Sequence, residues 1–130
     1  MTALHYTQFM TPYLAIDLAP FERNIEKMKD FTLESGTSIR PHVKTHKCAK
    51  IARMLVDNGA IGVTCAKLGE AEAMVHGGVK DLLLANQVVD KDKLLRLAGL
   101  ARMSDLKIAV DNALNITAIS GAATALGAKI

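Results

Sequence analysis

The chain has 130 residues, of which 50% are hydrophobic and 22% are charged, and its formal net charge is +3. This length and composition suffice for one hydrophobic core and exclude a disordered tail. Aromatic residues make up only 4% of the chain. The base-stacking platforms of single-strand binders are therefore missing, and nucleic acid is not expected as a partner.

The cysteines and the hydropathy pattern indicate a cytoplasmic protein. Cys48 and Cys65 show no CxxC pattern, and two cysteines in 130 residues are typical of a reducing compartment. The first twenty residues lack a basic start followed by an apolar run, and no apolar stretch approaches the ~20 residues that span a bilayer. We therefore expect neither secretion nor membrane insertion.

In chain order, a helix is predicted first. Pro20 fits its first turn, apolar residues follow at helical spacing, and Ser35 with Gly36 ends it. Strand-like and helix-like blocks then alternate along the remaining chain. The strand candidates begin near Ser38, Ile61, Asp81, Leu106 and Ala128.

Helix start and stop signals separate these blocks. Glycine marks the C-terminal ends of three predicted helices, and acidic or amide side chains occupy two predicted N-cap positions. The end signals are Asn58 with Gly59, Gly77 with Gly78, and Gly127, and the N-cap candidates are Asp90 and either Asp111 or Asn112.

Repeated βα units with short apolar strands predict an α/β protein with a parallel sheet covered by helices. No strand end carries the GxGxxG turn of a doubly wound dinucleotide-binding sheet. We therefore favour a (β/α)₈ barrel, which needs about 250 residues. Residues 1–130 supply about four βα units and the start of a fifth strand. The chain is thus expected to be a single-domain fragment, the N-terminal half of a barrel.

The stretch from Ile39 to Lys47 carries the strongest chemical signal. If the stretch is extended, side chains alternate faces, and one face presents His42, Lys44 and His46. Burial and neighbouring positive charge would favour the neutral amine of Lys44. A neutral amine attacks carbonyl carbons, so the pattern predicts a Schiff-base lysine for an aldehyde or for pyridoxal phosphate.

Two other interpretations of this stretch remain open. The histidines four residues apart would share a metal only on a helix, which Pro41 disfavours. The cations would alternatively form a solvated basic patch for phosphates or nucleic acid. That patch would consist of Arg40, Lys44, Lys47 and Lys50.

The ends of the other predicted strands supply further candidates, because barrel enzymes carry their functional groups there. Lys67 follows the second strand and is the rival Schiff-base residue, but it has no flanking histidines. Asn86 follows the third strand and is a candidate for cofactor binding. We expect Cys65 to be a small buried residue and Asp111 to be a helix cap.

Four motifs together resemble one enzyme family. RPHVKTHK, GVTCAKLGEAE, DLLLANQVV and KIAVDNA are similar to the D-threonine aldolase and D-serine dehydratase-like family, from about Thr11 onward. This family is similar to the alanine racemase group of pyridoxal-phosphate enzymes (fold type III), which have an N-terminal (β/α)₈ barrel and a C-terminal β domain. The resemblance covers only the N-terminal part of such proteins.

The resemblance implies that Lys44 holds pyridoxal 5'-phosphate, with His42 and His46 as cofactor-pocket candidates. It also implies a divalent metal whose ligands lie outside this chain, a small D-amino acid substrate and a homodimer at full length. The expected reaction is a D-threonine aldolase-like cleavage of a β-hydroxy D-amino acid to glycine and an aldehyde. The alternatives are a D-serine dehydratase-like lyase, an amino-acid racemase and a non-catalytic pyridoxal-phosphate-binding protein.

Overall fold

The computed structural model describes residues 9–130, which form an open three-stranded parallel sheet with helices. The helices are α1 (Leu18–Ser35), α2 (Ala49–Asp57), α3 (Leu68–His76), α4 (Lys91–Ala101) and α5 (Ala113–Leu126). The strands are β1 (Val63–Cys65), β2 (Asp81–Leu84) and β3 (Asp105–Ile108), and a 3₁₀ turn spans Val43–Thr45. This confirms the predicted fold class, the N-terminal part of a (β/α)₈ barrel.

The sheet has the order β1-β2-β3, with all neighbours parallel. Val63 aligns with Leu82, which aligns with Leu106, so these side chains point to one face of the sheet. That face packs against the helices, where Met74 of α3 and Leu97 of α4 are almost fully buried. The core therefore lies between the sheet and one helical layer.

The opposite face of the sheet is more polar and less buried. Thr64, Leu83 and Lys107 are in register across the three strands, and each is partly exposed. In a closed barrel this face turns inward. Parallel strands normally have both faces covered, and in a barrel it is this face that the ring of strands encloses.

The predicted helix signals are confirmed at most positions. Helix α1 ends at Gly36 as predicted, and its N-cap, which was not predicted, is Asp17, which accepts a hydrogen bond from the Ala19 N–H at 3.2 Å. Asp90 caps α4 through the Lys93 N–H at 3.0 Å. Of the two candidates before α5, the cap is Asn112, which accepts from the Leu114 N–H at 2.8 Å.

The strand predicted near Ser38 is wrong as a full strand. Its residues make only one isolated parallel bridge, between His42 and Thr64. Carbonyl groups of Ile39 and Pro41 do accept hydrogen bonds from the N–H groups of Ile61 and Thr64, at 3.0 and 2.8 Å. However, Pro41 has no N–H to donate, and the 3₁₀ turn begins directly after His42.

The strand predicted from Ala128 is also not formed among the described residues. The Ala128 N–H donates to the Ala123 carbonyl at 2.9 Å, so it completes the end of α5 instead of a strand ladder. Separately, no helix within residues 9–130 has both the length and the apolar character needed to cross a bilayer.

Candidate functional site

The carboxyl ends of the parallel strands bring the predicted site residues to one edge of the sheet. His42 bridges to Thr64, so Lys44 emerges at the same edge as Lys67, which follows β1. Asn86 follows β2 at this edge. The sequence prediction that these residues share one edge is consistent with the register, and this is the edge where barrel enzymes place their functional groups.

The local structure around Lys44 differs from the extended face expected from the sequence. Residues 43–45 form a 3₁₀ turn, so His42, Lys44 and His46 do not alternate along one strand. Val43 is completely buried and anchors the turn, while Lys44 is exposed. The burial assumed for its amine is therefore absent from this part of the molecule, because the turn directs Lys44 away from the core.

The two histidines instead organise the backbone around Lys44. The His42 Nδ1 accepts a hydrogen bond from the Lys44 N–H at 3.2 Å, which caps the 3₁₀ turn. The His46 Nδ1 accepts from the Cys48 N–H at 3.1 Å. Each neutral ring therefore carries its proton on Nε2. These contacts fix the direction in which the Lys44 backbone leaves the sheet.

His46 has a further unusual feature. Its Nε2 is buried and has no hydrogen-bond partner among the described residues. Burial lowers the pKa of His46 below its ordinary value, because a charged imidazolium loses hydration there. At neutral pH this ring is therefore uncharged, and it does not add positive charge beside Lys44.

Asn86 lies at the predicted edge, but its amide groups already have protein partners. Its Nδ2 donates to the Ala66 carbonyl at 3.3 Å, and its Oδ1 accepts from the Gln87 N–H at 3.0 Å. The Gln87 Nε2 then donates to an Asp111 carboxylate oxygen at 3.0 Å. Asn86 thus links neighbouring loops, and the sequence pattern gave no sign of this linkage.

A second contact between loops is buried. Asn115 in α5 is only 6% exposed, and its Nδ2 donates to the Val88 carbonyl at 2.6 Å. This bond and the Gln87–Asp111 bond hold the loop after β2 against the loop and helix after β3. Sequence reasoning missed Asn115, because a helical asparagine shows no pattern that distinguishes a buried one from an exposed one.

Lys67, the rival candidate, is exposed and directly precedes α3. The carboxylate of Glu70 accepts hydrogen bonds from the N–H groups of Ala66 and Lys67, at 2.8 and 3.3 Å. This places a negative charge at the start of α3, where it stabilises the helix. Lys67 and Lys47 also line an open groove of about 650 Å³, which lies beside the segments that follow β1 and β2.

Cys65 is fully buried, as the sequence predicted. Burial, together with the nearby Glu70 carboxylate, raises the pKa of the Cys65 thiol to about 12. The thiol is therefore protonated at neutral pH and is not a nucleophile. Within residues 9–130, no three histidine, cysteine, aspartate or glutamate side chains come together as a metal site.

A cluster of charges occupies the amino end of the polar sheet face. Arg40 Nη1 contacts Asp81 Oδ1 at 2.5 Å, and Lys107 Nζ contacts the same oxygen at 2.9 Å. Lys107 also pairs with Asp105 at 2.7 Å. The solvated basic patch considered from the sequence is therefore wrong for Arg40, because its guanidinium is paired and only 15% exposed.

The charge cluster gives a testable dependence of stability on pH. Burial alone would raise the pKa of Asp81, but hydrogen bonds and charges from Arg40 and Lys107 outweigh it and lower that pKa. A carboxylate with a lowered folded pKa stabilises the fold above its unfolded pKa of about 3.9. We expect this contribution to be complete at neutral pH and to be lost as the pH falls through the folded pKa.

The measurement is the melting temperature of the purified protein between pH 7 and pH 2, compared with Asp81→Asn. The variant is expected to melt lower at neutral pH and to approach the unmodified protein under acid. Asp30→Asn, which changes an exposed aspartate on α1, serves as the control and leaves the difference small. An unchanged gap between Asp81→Asn and the unmodified protein at every pH would contradict the assignment.

Most of this chain matches a known protein family. The family model described as alanine racemase, N-terminal domain, matches residues 16–130. The chain is 41% identical over 120 residues to a D-threonine aldolase of Arthrobacter sp, which covers 92% of this chain and 32% of the relative. It is 37% identical over 126 residues to a 3-hydroxy-D-aspartate aldolase of Paracoccus denitrificans, which covers 95% of this chain and 33% of the relative.

A solved structure shows the same arrangement of helices and strands. The D-threonine aldolase from Filomicrobium marinum superimposes with a TM-score of 0.90 at 42% sequence identity. The match covers 93% of this chain and 33% of that structure. The chain therefore spans about a third of the length of the relatives that it matches.

Proposed function

The chain belongs to the alanine racemase N-terminal domain family, and from this premise we propose that it is the cofactor-bearing part of a pyridoxal-phosphate-dependent aldolase. The proposed enzyme cleaves a β-hydroxy D-amino acid, with D-threonine as the first candidate, to glycine and an aldehyde. The observation that supports this most directly is the position of Lys44 at the carboxyl edge of the sheet, within a chain 41% identical to a D-threonine aldolase.

The residues around Lys44 fit a cofactor that carries an aldehyde. The Lys44 side chain is exposed, and no carboxylate within residues 9–130 forms an ion pair with it. Its backbone is fixed by the His42 Nδ1 and by the buried side chain of Val43. An accessible amine on a fixed backbone is what covalent attachment of an aldehyde requires.

Each group of this chain would have a limited task. Pyridoxal phosphate, when bound, supplies a ring that accepts the electrons of the broken bond. Lys44 would hold the cofactor, and its amine would be placed to take or return a proton beside the substrate. His46 is kept neutral by burial, so it would not repel a protonated lysine. We propose His42, His46 and Asn86 as pocket residues. The two histidines would act through the turn that carries Lys44, and Asn86 through its bond to the loop after β1.

The remaining parts of the proposal concern the longer protein. We propose a divalent metal that polarises the β-hydroxyl group of the substrate, held by residues outside this chain. We also propose a homodimer at full length. A cytoplasmic location is supported by the two cysteines, Cys48 and Cys65, which are both free thiols.

The test is product analysis with the full-length protein loaded with pyridoxal phosphate. Incubation with D-threonine is expected to release glycine and acetaldehyde in equal amounts, and the L-enantiomer is the matched control substrate. Chelation followed by dialysis is expected to stop cleavage while the cofactor stays bound, and added divalent metal should restore it.

Other products would identify the alternatives. Pyruvate and ammonia from D-serine would indicate a dehydratase, and interconversion of enantiomers would indicate a racemase. Bound cofactor without turnover of any of these substrates would indicate a carrier of pyridoxal phosphate. Full cleavage of D-threonine after complete metal removal would contradict the proposed role of the metal.

A further inference from the structure

The segment that leads into Lys44 is held to the sheet by few backbone bonds. The Ile61 and Thr64 N–H groups donate to the carbonyls of Ile39 and Pro41. The Thr64 Oγ1 also donates to the Arg40 carbonyl at 3.1 Å. Every one of these bonds uses a carbonyl of the segment, because Pro41 lacks an N–H and no regular ladder forms. Side-chain contacts therefore have a larger part in fixing this segment than in an ordinary strand.

Arg40 provides the strongest such contact. Its side chain passes over Gly62, the residue directly before β1, and reaches Asp81 at the start of β2, at 2.5 Å. A Cβ atom at residue 62 would collide with Arg40 Nη1 and with the Asp81 backbone oxygen. The absence of a side chain at Gly62 is thus what allows Arg40 to reach Asp81.

Asp81 is in turn fixed from the other side. Lys107 of β3 contacts the same carboxylate oxygen at 2.9 Å, so one aspartate joins cations from two directions. Arg40 has no other ion-pair partner among the described residues, whereas Lys107 also has Asp105. Loss of Asp81 would consequently leave the partly buried Arg40 unpaired, but would leave Lys107 paired.

We propose that Arg40 is a positioning residue, which acts through its ion pair with Asp81 to hold residues 39–42 against β1 and thereby sets where Lys44 meets the cofactor. The connection is short, because only three residues separate Arg40 from Lys44. Within it His42 bridges to Thr64, and Val43 is completely buried. A shift at Arg40 is therefore passed to the turn. The link to the cofactor rests on the proposed function, but the hold on the segment does not.

The experiment compares Arg40→Gln with Lys107→Gln in the full-length protein. Both variants remove one cation from Asp81, but only Arg40 belongs to the segment before Lys44. The first measurement, made without cofactor, is the rate of amide hydrogen exchange of Ile61 and Thr64, whose N–H groups donate to the segment, and of residues 44–47 in the turn that follows it. The second is the dissociation constant for pyridoxal phosphate. We expect Arg40→Gln to raise both by about tenfold and Lys107→Gln to change them less than about twofold.

A double-mutant cycle separates the ion pair from the side chain itself. If Arg40 acts through Asp81, the double variant Arg40→Gln, Asp81→Asn is expected to be no worse than Arg40→Gln alone. Arg40→Lys keeps the charge but loses the planar guanidinium, so its exchange rates are expected to lie between those of the unmodified protein and Arg40→Gln. This variant replaces Arg40→Gln in the comparison if Arg40→Gln does not fold.

The proposal is overturned if Arg40→Gln and Lys107→Gln change exchange and affinity equally, or if Arg40→Gln changes only the melting temperature. Failure of the proposed function is recognised differently. A full-length protein that binds no pyridoxal phosphate would remove the affinity measurement, while exchange of the Ile61 and Thr64 amides would still decide whether Arg40 holds the segment.

Discussion

Replacing Lys44 by arginine is expected to abolish covalent attachment of pyridoxal phosphate and to lower kcat/KM by on the order of 10³-fold or more. Arginine keeps the positive charge, but a guanidinium does not condense with an aldehyde at neutral pH. Lys44 is exposed and its backbone is held by His42, so the substitution is expected to leave the fold intact. The measurements are borohydride reduction followed by peptide mapping, and steady-state cleavage of D-threonine.

Lys67→Arg is the matched control for Lys44→Arg. Lys67 is also exposed and lies at the same edge of the sheet, so the substitution changes the same chemical group in a similar place. We expect it to keep the cofactor and to retain activity within a few fold. A reduced cofactor found on Lys67 or Lys47 would refute the assignment of Lys44.

Introducing a side chain at Gly62 is expected to destabilise the fold strongly. Gly62→Ala should lower the free energy of unfolding by about 3 kcal/mol or more. The φ angle of 151° is one that residues with a side chain rarely adopt. The new Cβ atom would also meet the backbone oxygen of Asp81, which cannot move without disturbing β2. Chemical denaturation of the unmodified protein and the variant gives the difference in the free energy of unfolding.

Gly99→Ala in α4 is the control for this substitution. A Cβ atom at residue 99 meets nothing within 4 Å, and the position is helical. Alanine is preferred over glycine inside helices, so this change is expected to stabilise the protein by up to about 1 kcal/mol. If neither substitution changed the free energy of unfolding, the close packing of Arg40 and Asp81 against Gly62 would be refuted.

Local signals predicted most of the secondary structure. Glycine, in one case together with asparagine, marked the ends of four helices, namely α1, α2, α3 and α5. Three consecutive leucines indicated β2. These features depend on neighbouring residues alone. The segment near Ser38 was mispredicted because Pro41 removes a donor and Val43 begins a turn, and the outcome depends on which bonds β1 can still make.

The site was predicted only in part for the same reason. The rule that functional groups follow parallel strands indicated the edge that carries Lys44, Lys67 and Asn86. It did not indicate the pair of Arg40 with Asp81, which lie 41 residues apart. That pair depends on the register between strands and on the empty space at Gly62. Neither property is visible in the spacing of residues along the chain.

The strand order β1-β2-β3 also bears on how the chain reaches its structure. Each strand pairs with the next one in sequence, and α4 packs against α5, its successor among the helices. Such contacts close short loops, which lose less entropy and form faster than contacts between distant segments. During synthesis, each βα unit can therefore dock on the preceding one as it leaves the ribosome, so that folding proceeds from the N-terminal side.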